Sequence, residues 1–291
     1  MASETQQTAR RHWLWNLGYL ALKWVAVPYC VVVALLVLLE NRLVYPAFNT
    51  PGDDWNPADL EIEEVRFTST DGTKLHGWFV PRKEAKAVVL YLHGNGGNIT
   101  HRLHRLHQLH DMGAAVFIFD YRGYGKSEGS PHESGLLQDG RAARHWLSER
   151  TGMAETKFVL LGESIGGGVA VDLASKEGAA GLILESTFTS LPDASATHYP
   201  WVPVHLLMRN RYHNLSKLPS YHGPLLISHG DQDEIIPYSH GEQLFQAAHQ
   251  PKTFFPIPGA THNNRASLEY DLVLEKFLHA LPPPKVQAPS N

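Results

Sequence analysis

Cysteine is almost absent from this chain of 291 residues. Cys30 is the only one, so no disulfide can form within the chain. This argues against a secreted domain held together by disulfides. An excess of basic charge is also lacking, because 25 Lys and Arg residues stand against 29 Asp and Glu residues. A nucleic-acid-binding surface needs such an excess, so we expect no nucleic-acid partner. Hydrophobic residues make up 43% of the chain, enough for a large core.

Long uncharged runs are missing except near the N-terminus. Residues 24–39 carry no charge, and as a helix they would span about 24 Å, slightly less than a hydrocarbon core of roughly 30 Å. Extending the span back to Leu17 adds only the charge of Lys23, which can reach the interface. Pro28 allows a kink without forbidding a span. We therefore expect a transmembrane anchor at 17–39, preceded by an N-terminal segment at 1–16.

Two alternatives to a retained anchor remain, a cleaved signal peptide and a buried or surface helix. The pair Arg10-Arg11 resembles a loose twin-arginine signal. However, no small-residue cleavage motif follows Leu39, where the chain continues Glu40-Asn41-Arg42. A retained anchor is therefore the expectation.

The charges that flank this run predict its orientation. Arg10, Arg11 and Lys23 precede its apolar part, whereas Arg42 alone follows it closely. The positive-inside tendency places the N-terminus in the cytoplasm. We expect a single-pass membrane protein whose large C-terminal domain is periplasmic or lumenal.

Beyond a connector at 40–60, strand-like and helix-like segments alternate. This alternation is typical of βαβ units and predicts an α/β domain at 61–281 with a mostly parallel sheet. Asp71-Gly72 predicts a two-residue antiparallel hairpin at its start. Residues 190–222 form the one long insertion, expected to be a cap, and 282–291 a flexible tail. Strands are predicted at 61–68, 74–80, 87–93, 114–120, 157–162, 181–185, 224–230 and 252–258, and helices at 99–112, 132–149, 164–176, 239–249 and 265–280.

A candidate nucleophile lies between a predicted strand and a predicted helix. Residues 162–166 read G-E-S-I-G, directly after an apolar strand and directly before a helical run. In this setting the pattern G-x-S-x-G places the serine hydroxyl on a sharp turn above the sheet. The alternative is a glycine-rich turn with a helix-capping serine. Ser164 is therefore the expected nucleophile.

A serine hydroxyl needs a base to become a good nucleophile. His262 follows the last predicted strand, and the strand before it is followed by Asp231 and Asp233. The order serine, acid, histidine along the chain is the one expected of this architecture. Asp233 is better placed than Asp231, which we expect to hydrogen-bond its own loop. Glu185, at the end of another strand, stays a less favoured alternative acid.

An oxyanion hole requires two backbone N–H groups. Ile165, the residue after the nucleophile, supplies one candidate. Asn95 supplies the other, from the glycine-rich stretch 94–97 after a buried strand. Such donors are each worth about 3 kcal/mol in the transition state. The alternative for this stretch is a tight turn before a helix capped by Asn98.

No cofactor, metal or nucleotide is expected. Gly125-Lys126-Ser127 resembles the end of a phosphate-binding loop, but that motif needs glycine at position 120, where Asp120 stands. Four histidines repeat every third residue beside leucines, without the cysteine or HExxH partner of a zinc site. They are expected to lie on a solvated helix face. These are His101, His104, His107 and His110.

Several segments together resemble a known family. They read HGNGGNITHR, FDYRGYGKSEG, GESIGGG, ESTF, HGDQDEIIP and GATHN, in this order between Leu43 and Leu281. They resemble the membrane-anchored α/β-hydrolase domain-containing proteins of the bud-emergence (BEM-type) branch. The resemblance implies an eight-stranded α/β-hydrolase fold and a triad of Ser164, Asp233 and His262. It also implies a structural loop with turns at Gly123 and Gly125.

The expected function is serine hydrolysis of carboxylic esters or thioesters, through an acyl-enzyme intermediate. Lipid-like or small acyl esters are the expected substrates, and the oligomeric state is left open. An amidase or peptidase on the same fold, or a catalytically silent scaffold, remain alternatives. Six residues of the insertion are candidates either to line an acyl pocket or to pack the cap on the core. They are Tyr199, Trp201, Val202, Leu206, Leu207 and Met208.

Overall fold

The computed structural model describes residues 2–46, 54–264 and 267–284. Strands and helices alternate through most of the chain. The strands are β1 (Glu63–Thr68), β2 (Lys74–Val80), β3 (Ala87–Leu92), β4 (Ala114–Asp120), β5 (Val159–Glu163), β6 (Gly181–Glu185), β7 (Leu225–Gly230) and β8 (Lys252–Ile257). The helices are α1 (Ala2–Ala21), α2 (Val27–Leu38), α3 (Glu40–Val44), α4 (Leu103–Asp111), α5 (Glu133–Thr151), α6 (Ile165–Glu177), α7 (Leu191–His198), α8 (Val204–Leu207), α9 (Asn214–Lys217), α10 (Ser239–Ala247) and α11 (Leu268–Ala280).

The eight strands form one sheet in the order β1-β2-β4-β3-β5-β6-β7-β8. β2 pairs antiparallel with β1 and β4, and all other pairs are parallel. Helices cover both faces, which explains why the central strands are apolar without alternation. In β3, for example, Leu90 packs into one apolar cluster and Val89 into the other. The prediction of a mostly parallel eight-stranded sheet is confirmed.

The first hairpin is longer than predicted. β1 ends at Thr68 and β2 begins at Lys74, so five residues connect the two strands instead of the predicted two. The Asp71 carboxylate accepts a hydrogen bond from the Thr73 backbone N–H at 3.1 Å, and Ser69 N–H bonds the Thr73 carbonyl. These bonds close a wider loop, in which Gly72 takes a φ of +89°. An Asp side chain that binds the backbone two residues on stabilises such turns.

The N-terminal helix is long and apolar enough to be a membrane span or a signal sequence. It covers Gln6–Leu38, 33 residues, with no part of its most apolar stretch buried in the protein. A wider π turn at Leu22–Ala26 joins α1 to α2 just before Pro28. Proline removes a backbone donor and crowds the preceding turn, which explains the local widening.

Residues 40–46 differ from the expected connector, because they are part of the fold. They contain α3, the Glu40 side chain is only 5% exposed, and Tyr45 packs in the larger apolar cluster. The sequence pattern did not predict α3, because five helical residues are too few to show a helical repeat of apolar positions. The rest of the connector resumes at 54, since 47–53 lie outside the described residues, as do 285–291 of the predicted tail.

Candidate active site

Ser164 lies on the sharp turn between β5 and α6. Its backbone has φ +51° and ψ −116°, a conformation that costs energy for a residue with a side chain. Hydrogen bonds hold this turn, with Ser164 N–H donating to the Glu185 carbonyl at 2.9 Å and Thr187 Oγ1 donating to the Ser164 carbonyl at 2.7 Å. At Gly166 an added Cβ would collide with the Leu92 carbonyl. Residue 166 must therefore be a glycine, because the backbone of Leu92 leaves no room for a side chain.

The structure brings Ser164, His262 and Asp233 together from three separate loops. Ser164 Oγ lies 3.2 Å from His262 Nε2, and His262 Nδ1 lies 2.8 Å from Asp233 Oδ2. All three residues are buried, with 7% to 8% of each exposed. The two ring nitrogens of one imidazole thus face a hydroxyl and a carboxylate. This arrangement suits proton transfer from serine to histidine.

Asp233 is held ionised by its surroundings. Burial would raise the pKa of its carboxyl, but hydrogen bonding to His229 and His262, the nearby His262 charge and the Ile236 N–H hold that pKa well below its usual range. Oδ1 accepts hydrogen bonds from Ile235 N–H at 3.0 Å and from Ile236 N–H at 2.8 Å. These bonds leave Oδ2 facing the imidazole of His262. His229, overlooked in the sequence, is a further contact of Asp233, with Nε2 3.3 Å from Oδ2.

The glycine-rich stretch 94–97 lies beside the nucleophile. A Cβ added at Gly94 would lie 3.5 Å from Ser164 Cβ. The Asn95 side chain donates a hydrogen bond to the Val44 carbonyl at 2.9 Å, which fixes the loop next to α3. Asn98 caps the following helical turn by accepting from Thr100 N–H at 2.9 Å. The placement agrees with oxyanion donors at Asn95 and Ile165, whose role stays a prediction.

The two alternative acids have other partners. Asp231 accepts a hydrogen bond at 2.7 Å from the N–H of Gly259, which lies in the loop after β8 and not in the loop of Asp231 itself. Glu185 accepts from Tyr270 Oη at 2.6 Å and forms an ion pair with Arg105. Glu185 is thus bonded to Tyr270 and Arg105 instead of His262. Asp233 is the carboxylate that meets the imidazole.

A buried polar cluster adjoins the site and was overlooked in the sequence. Tyr91 Oη donates to Glu163 Oε2 at 2.5 Å, and Arg102 Nε lies 3.4 Å from the same oxygen. Burial, together with the Glu163 charge, raises the pKa of the Tyr91 phenol well above its usual value, so it remains a donor. Burial works against the charge on Arg105, but Glu185 and its neighbours outweigh it and raise the guanidinium pKa. The only sequence signal was a tyrosine within the aliphatic strand β3.

Ser164 and His262 open into a cavity of about 1030 Å³. This is at the upper end of ordinary small-molecule sites. Of the six cap residues proposed for an acyl pocket, Tyr199, Val202, Leu207 and Met208 line the cavity. Trp201 and Leu206 are instead exposed on the outer surface of the insertion, which holds α7, α8 and α9.

The four regularly spaced histidines do not form one group. His101 and His104 line the cavity, whereas His107 lies 3.1 Å from Asp59 and His110 lies 3.4 Å from Arg82. Within residues 54–264 and the two other described ranges, no group of three His, Cys, Asp or Glu side chains is placed to hold a metal ion.

Comparison with known proteins identifies the family. Residues 83–222 match the family model Hydrolase_4, described as Serine aminopeptidase, S33. Uncharacterized protein Rv2307c of Mycobacterium tuberculosis is 35% identical over 86% of this chain and 92% of its own length. The α/β-hydrolase domain-containing protein WAV2 of Arabidopsis thaliana is 32% identical over 79% of this chain and 83% of its own. Protein bem46 of Schizosaccharomyces pombe is 32% identical over 80% of this chain and 83% of its own length.

Solved structures agree on the fold. The Pyrococcus furiosus esterase Pf2001 superposes with a TM-score of 0.67 at 21% identity, covering 81% of this chain and 97% of its own. The chain therefore belongs to the α/β-hydrolase domain-containing proteins of the Bem46 type, as the sequence resemblance implied. The family and the fold together make it a hydrolase.

Proposed function

We propose that this protein is a serine hydrolase that cleaves carboxylic esters or thioesters, with Ser164, His262 and Asp233 as its catalytic triad. The supporting observation is the continuous contact from the Ser164 hydroxyl through both nitrogens of His262 to the Asp233 carboxylate, at 3.2 Å and 2.8 Å. The ionised Asp233 favours the tautomer in which Nδ1 carries the proton and Nε2 accepts one.

The reaction has two acyl-transfer steps. Ser164 Oγ attacks the carbonyl carbon of the ester while His262 Nε2 takes the hydroxyl proton. The backbone N–H groups of Asn95 and Ile165 donate to the oxyanion. His262 then gives the proton to the departing alcohol or thiol, which leaves an acyl ester on Ser164. In the second step His262 accepts a proton from the attacking water and returns it to Ser164 Oγ, which leaves as the acid is released.

The cavity supports an ester more than a peptide with a free amino group. An aminopeptidase, which the description of the matching family model names, needs a carboxylate available for the substrate ammonium. Among the described residues, four carboxylates line the cavity, and each already contacts a guanidinium: Glu40 contacts Arg209, Glu163 contacts Arg102, and Glu185 and Asp271 both contact Arg105. Apolar cap residues such as Val202, Leu207 and Met208 instead offer contacts to an acyl chain.

We also propose that the N-terminal helix is retained as a membrane anchor, with the N-terminus in the cytoplasm. The helix over Gln6–Leu38 is long and apolar enough to cross a membrane, and Glu40, which follows it, bonds the Arg209 and Asn210 backbone N–H groups of the cap. A protease added to intact spheroplasts should digest the domain if it lies outside the cytoplasm. Full protection of the domain, with digestion only after lysis, would contradict this orientation.

Hydrolysis of p-nitrophenyl esters of graded chain length, by the full chain in detergent, tests the activity. Ser164→Ala should remove nearly all hydrolysis and all labelling by a fluorophosphonate probe. Ser216→Ala is a matched control, because Ser216 is exposed and bonds only its neighbouring His213 carbonyl. An aminoacyl p-nitroanilide should be cleaved far more slowly than an ester. A folded wild-type protein that neither labels nor hydrolyses esters would favour a silent scaffold instead.

A further inference from the structure

The segment Leu36–Tyr45, called here the juxtamembrane segment, joins the apolar helix to the hydrolase domain. Four of its apolar residues line the same cavity as Ser164 and His262: Leu36 and Val37 from the last turns of α2, and Leu43 and Val44 from α3. One wall of the cavity is thus built in part by the end of the N-terminal helix. An acyl chain in this cavity would contact these side chains.

Glu40 ties the juxtamembrane segment to the cap insertion. Its buried carboxylate accepts hydrogen bonds from the backbone N–H groups of Arg209 and Asn210, at 3.0 Å and 2.8 Å, and from the Asn210 side chain at 2.8 Å. The Arg209 guanidinium also contacts it at 3.1 Å. A buried carboxylate with this many donors is a specific attachment point, since each bond would be costly to leave unmade.

The other end of the juxtamembrane segment contacts the catalytic loop. The Val44 carbonyl accepts the hydrogen bond from the Asn95 side chain at 2.9 Å. Next to it, the buried Tyr45 hydroxyl bonds Asn210 Oδ1 at 2.8 Å and lies 2.9 Å from the Tyr212 hydroxyl. The segment is therefore fixed by Val44 to the loop beside the nucleophile, and by Val37, Glu40, Asn41 and Tyr45 to the cap.

We propose that the juxtamembrane segment is a specificity-determining part of the active site. Its apolar side chains form a wall that selects the length of the acyl chain, and Glu40 is a positioning residue that holds the cap against this wall. This inference rests on the proposed ester hydrolysis at Ser164. It predicts that the hydrolase domain needs the end of its own anchor for full activity on long-chain esters, independently of membrane attachment.

Val37→Trp tests the wall, because an indole there would occupy space in the cavity. Val32→Trp is the matched control, since Val32 is five residues earlier on the same helix, exposed and outside the cavity. We expect the ratio of kcat/KM for a dodecanoyl ester to that for a butanoyl ester to fall at least tenfold in Val37→Trp. The ratio should stay within twofold of wild type in Val32→Trp. Equal ratios in the two variants would overturn the proposal.

Val37→Ala is a second test of the wall, which stays informative if the bulkier Val37→Trp variant misfolds. It removes side-chain volume from the wall and should move the preferred chain length upward by at least two carbons. An unchanged preference in a folded Val37→Ala protein would count against the wall. If wild type itself shows neither ester hydrolysis nor fluorophosphonate labelling, the proposed function has failed, which is a different result from a flat chain-length profile in an active enzyme.

Glu40→Ala tests positioning of the cap. KM for the dodecanoyl ester should rise at least fivefold while kcat changes less, and Glu40→Gln should recover part of the loss because its amide oxygen still accepts hydrogen bonds. Glu61→Gln, an exposed change of the same charge, is the control. Equal changes in KM and kcat, with no recovery by glutamine, would indicate a structural role alone and contradict the assignment.

Discussion

Asp233 and Glu185 make an instructive comparison, because both are buried carboxylates at the carboxyl ends of neighbouring parallel strands. Asp233 follows β7 and meets the imidazole of His262 at 2.8 Å. Glu185 ends β6 and meets the guanidinium of Arg105 and the phenol of Tyr270. An imidazole can gain and lose a proton near neutral pH, whereas a guanidinium stays charged. A buried carboxylate therefore contacts a titratable imidazole in one region and a permanently charged guanidinium in the other.

The largest effect is expected for Asp233→Asn. The amide oxygen can still accept from Ile235 and Ile236 N–H, which turns the amide NH2 towards His262 Nδ1 and favours the wrong tautomer. We expect kcat to fall about 10⁴-fold with the fold retained. Steady-state kinetics on a short ester, together with a melting curve, would check this. A fall in kcat of less than tenfold would show that Asp233 is not the acid of the triad.

Glu185→Gln should affect stability instead of chemistry. It leaves the Arg105 guanidinium without its main counter-ion, although Asp271 remains 3.6 Å away. We expect a loss of about 3 kcal/mol in the free energy of unfolding and less than a tenfold change in kcat. Urea unfolding and kinetics on the same preparation measure both. A large fall in kcat with unchanged stability would reverse the roles of the two carboxylates.

His93 extends the comparison to a histidine that does not exchange protons in catalysis. It is fully buried at the end of β3, against Tyr121 with ring centroids 4.7 Å apart. Burial, and the charge of Arg102, lower its pKa from 6.5 to about 4. Between these two pH values the unfolded chain binds the extra proton, so stability falls as pH is lowered.

His93→Gln should reduce this pH dependence. From pH 7 to pH 4.5 the wild type should lose about 2 kcal/mol more stability than the variant, as measured by urea unfolding at each pH. Groups that both proteins share, including Asp233 and His240, cancel in the difference. Parallel pH profiles would show that His93 does not stay neutral in the folded state.

Asp231→Ala should have the smallest effect, although Asp231 is only two residues from Asp233. It removes one exposed hydrogen bond to Gly259 N–H. We expect less than about 1 kcal/mol in stability and a kcat within threefold of wild type. A strong fall in kcat would mean that the two aspartates share the role that the comparison assigns to Asp233 alone.

The sequence predicted the order of strands and helices well, because the buried strands are short continuous apolar runs and the helices between them are longer, more polar stretches. Predicted and observed strands differ by at most two residues at either end, as β5 shows at Val159–Glu163 against 157–162. It also predicted which loops carry Ser164, Asp233 and His262. In a parallel sheet all strand ends of one kind meet at one edge, so chain order alone brings those loops together.

Contacts between distant segments were beyond the sequence. Glu40 meets Asn210 across 170 positions, and Tyr91 meets Glu163 across 72. Neither contact is indicated by a periodic pattern in the sequence. A glutamate directly after an apolar helix is equally compatible with a solvent-exposed helix end. Short helices such as α3 and α8 also carry too few residues for a pattern.

The sequence by itself determined the α/β architecture, the turn at Ser164 and the apolar N-terminal helix, since each depends on local spacing of apolar residues, glycines and charges. The tertiary structure brought His262 to Asp233, the acid that the sequence had favoured, and it alone decided that Glu185 pairs with Arg105 and that the end of the N-terminal helix lines the cavity. The physical reason is that a buried charge must be satisfied by whatever group folding brings near it. Those neighbours are fixed only when strand ends, cap and helix pack together.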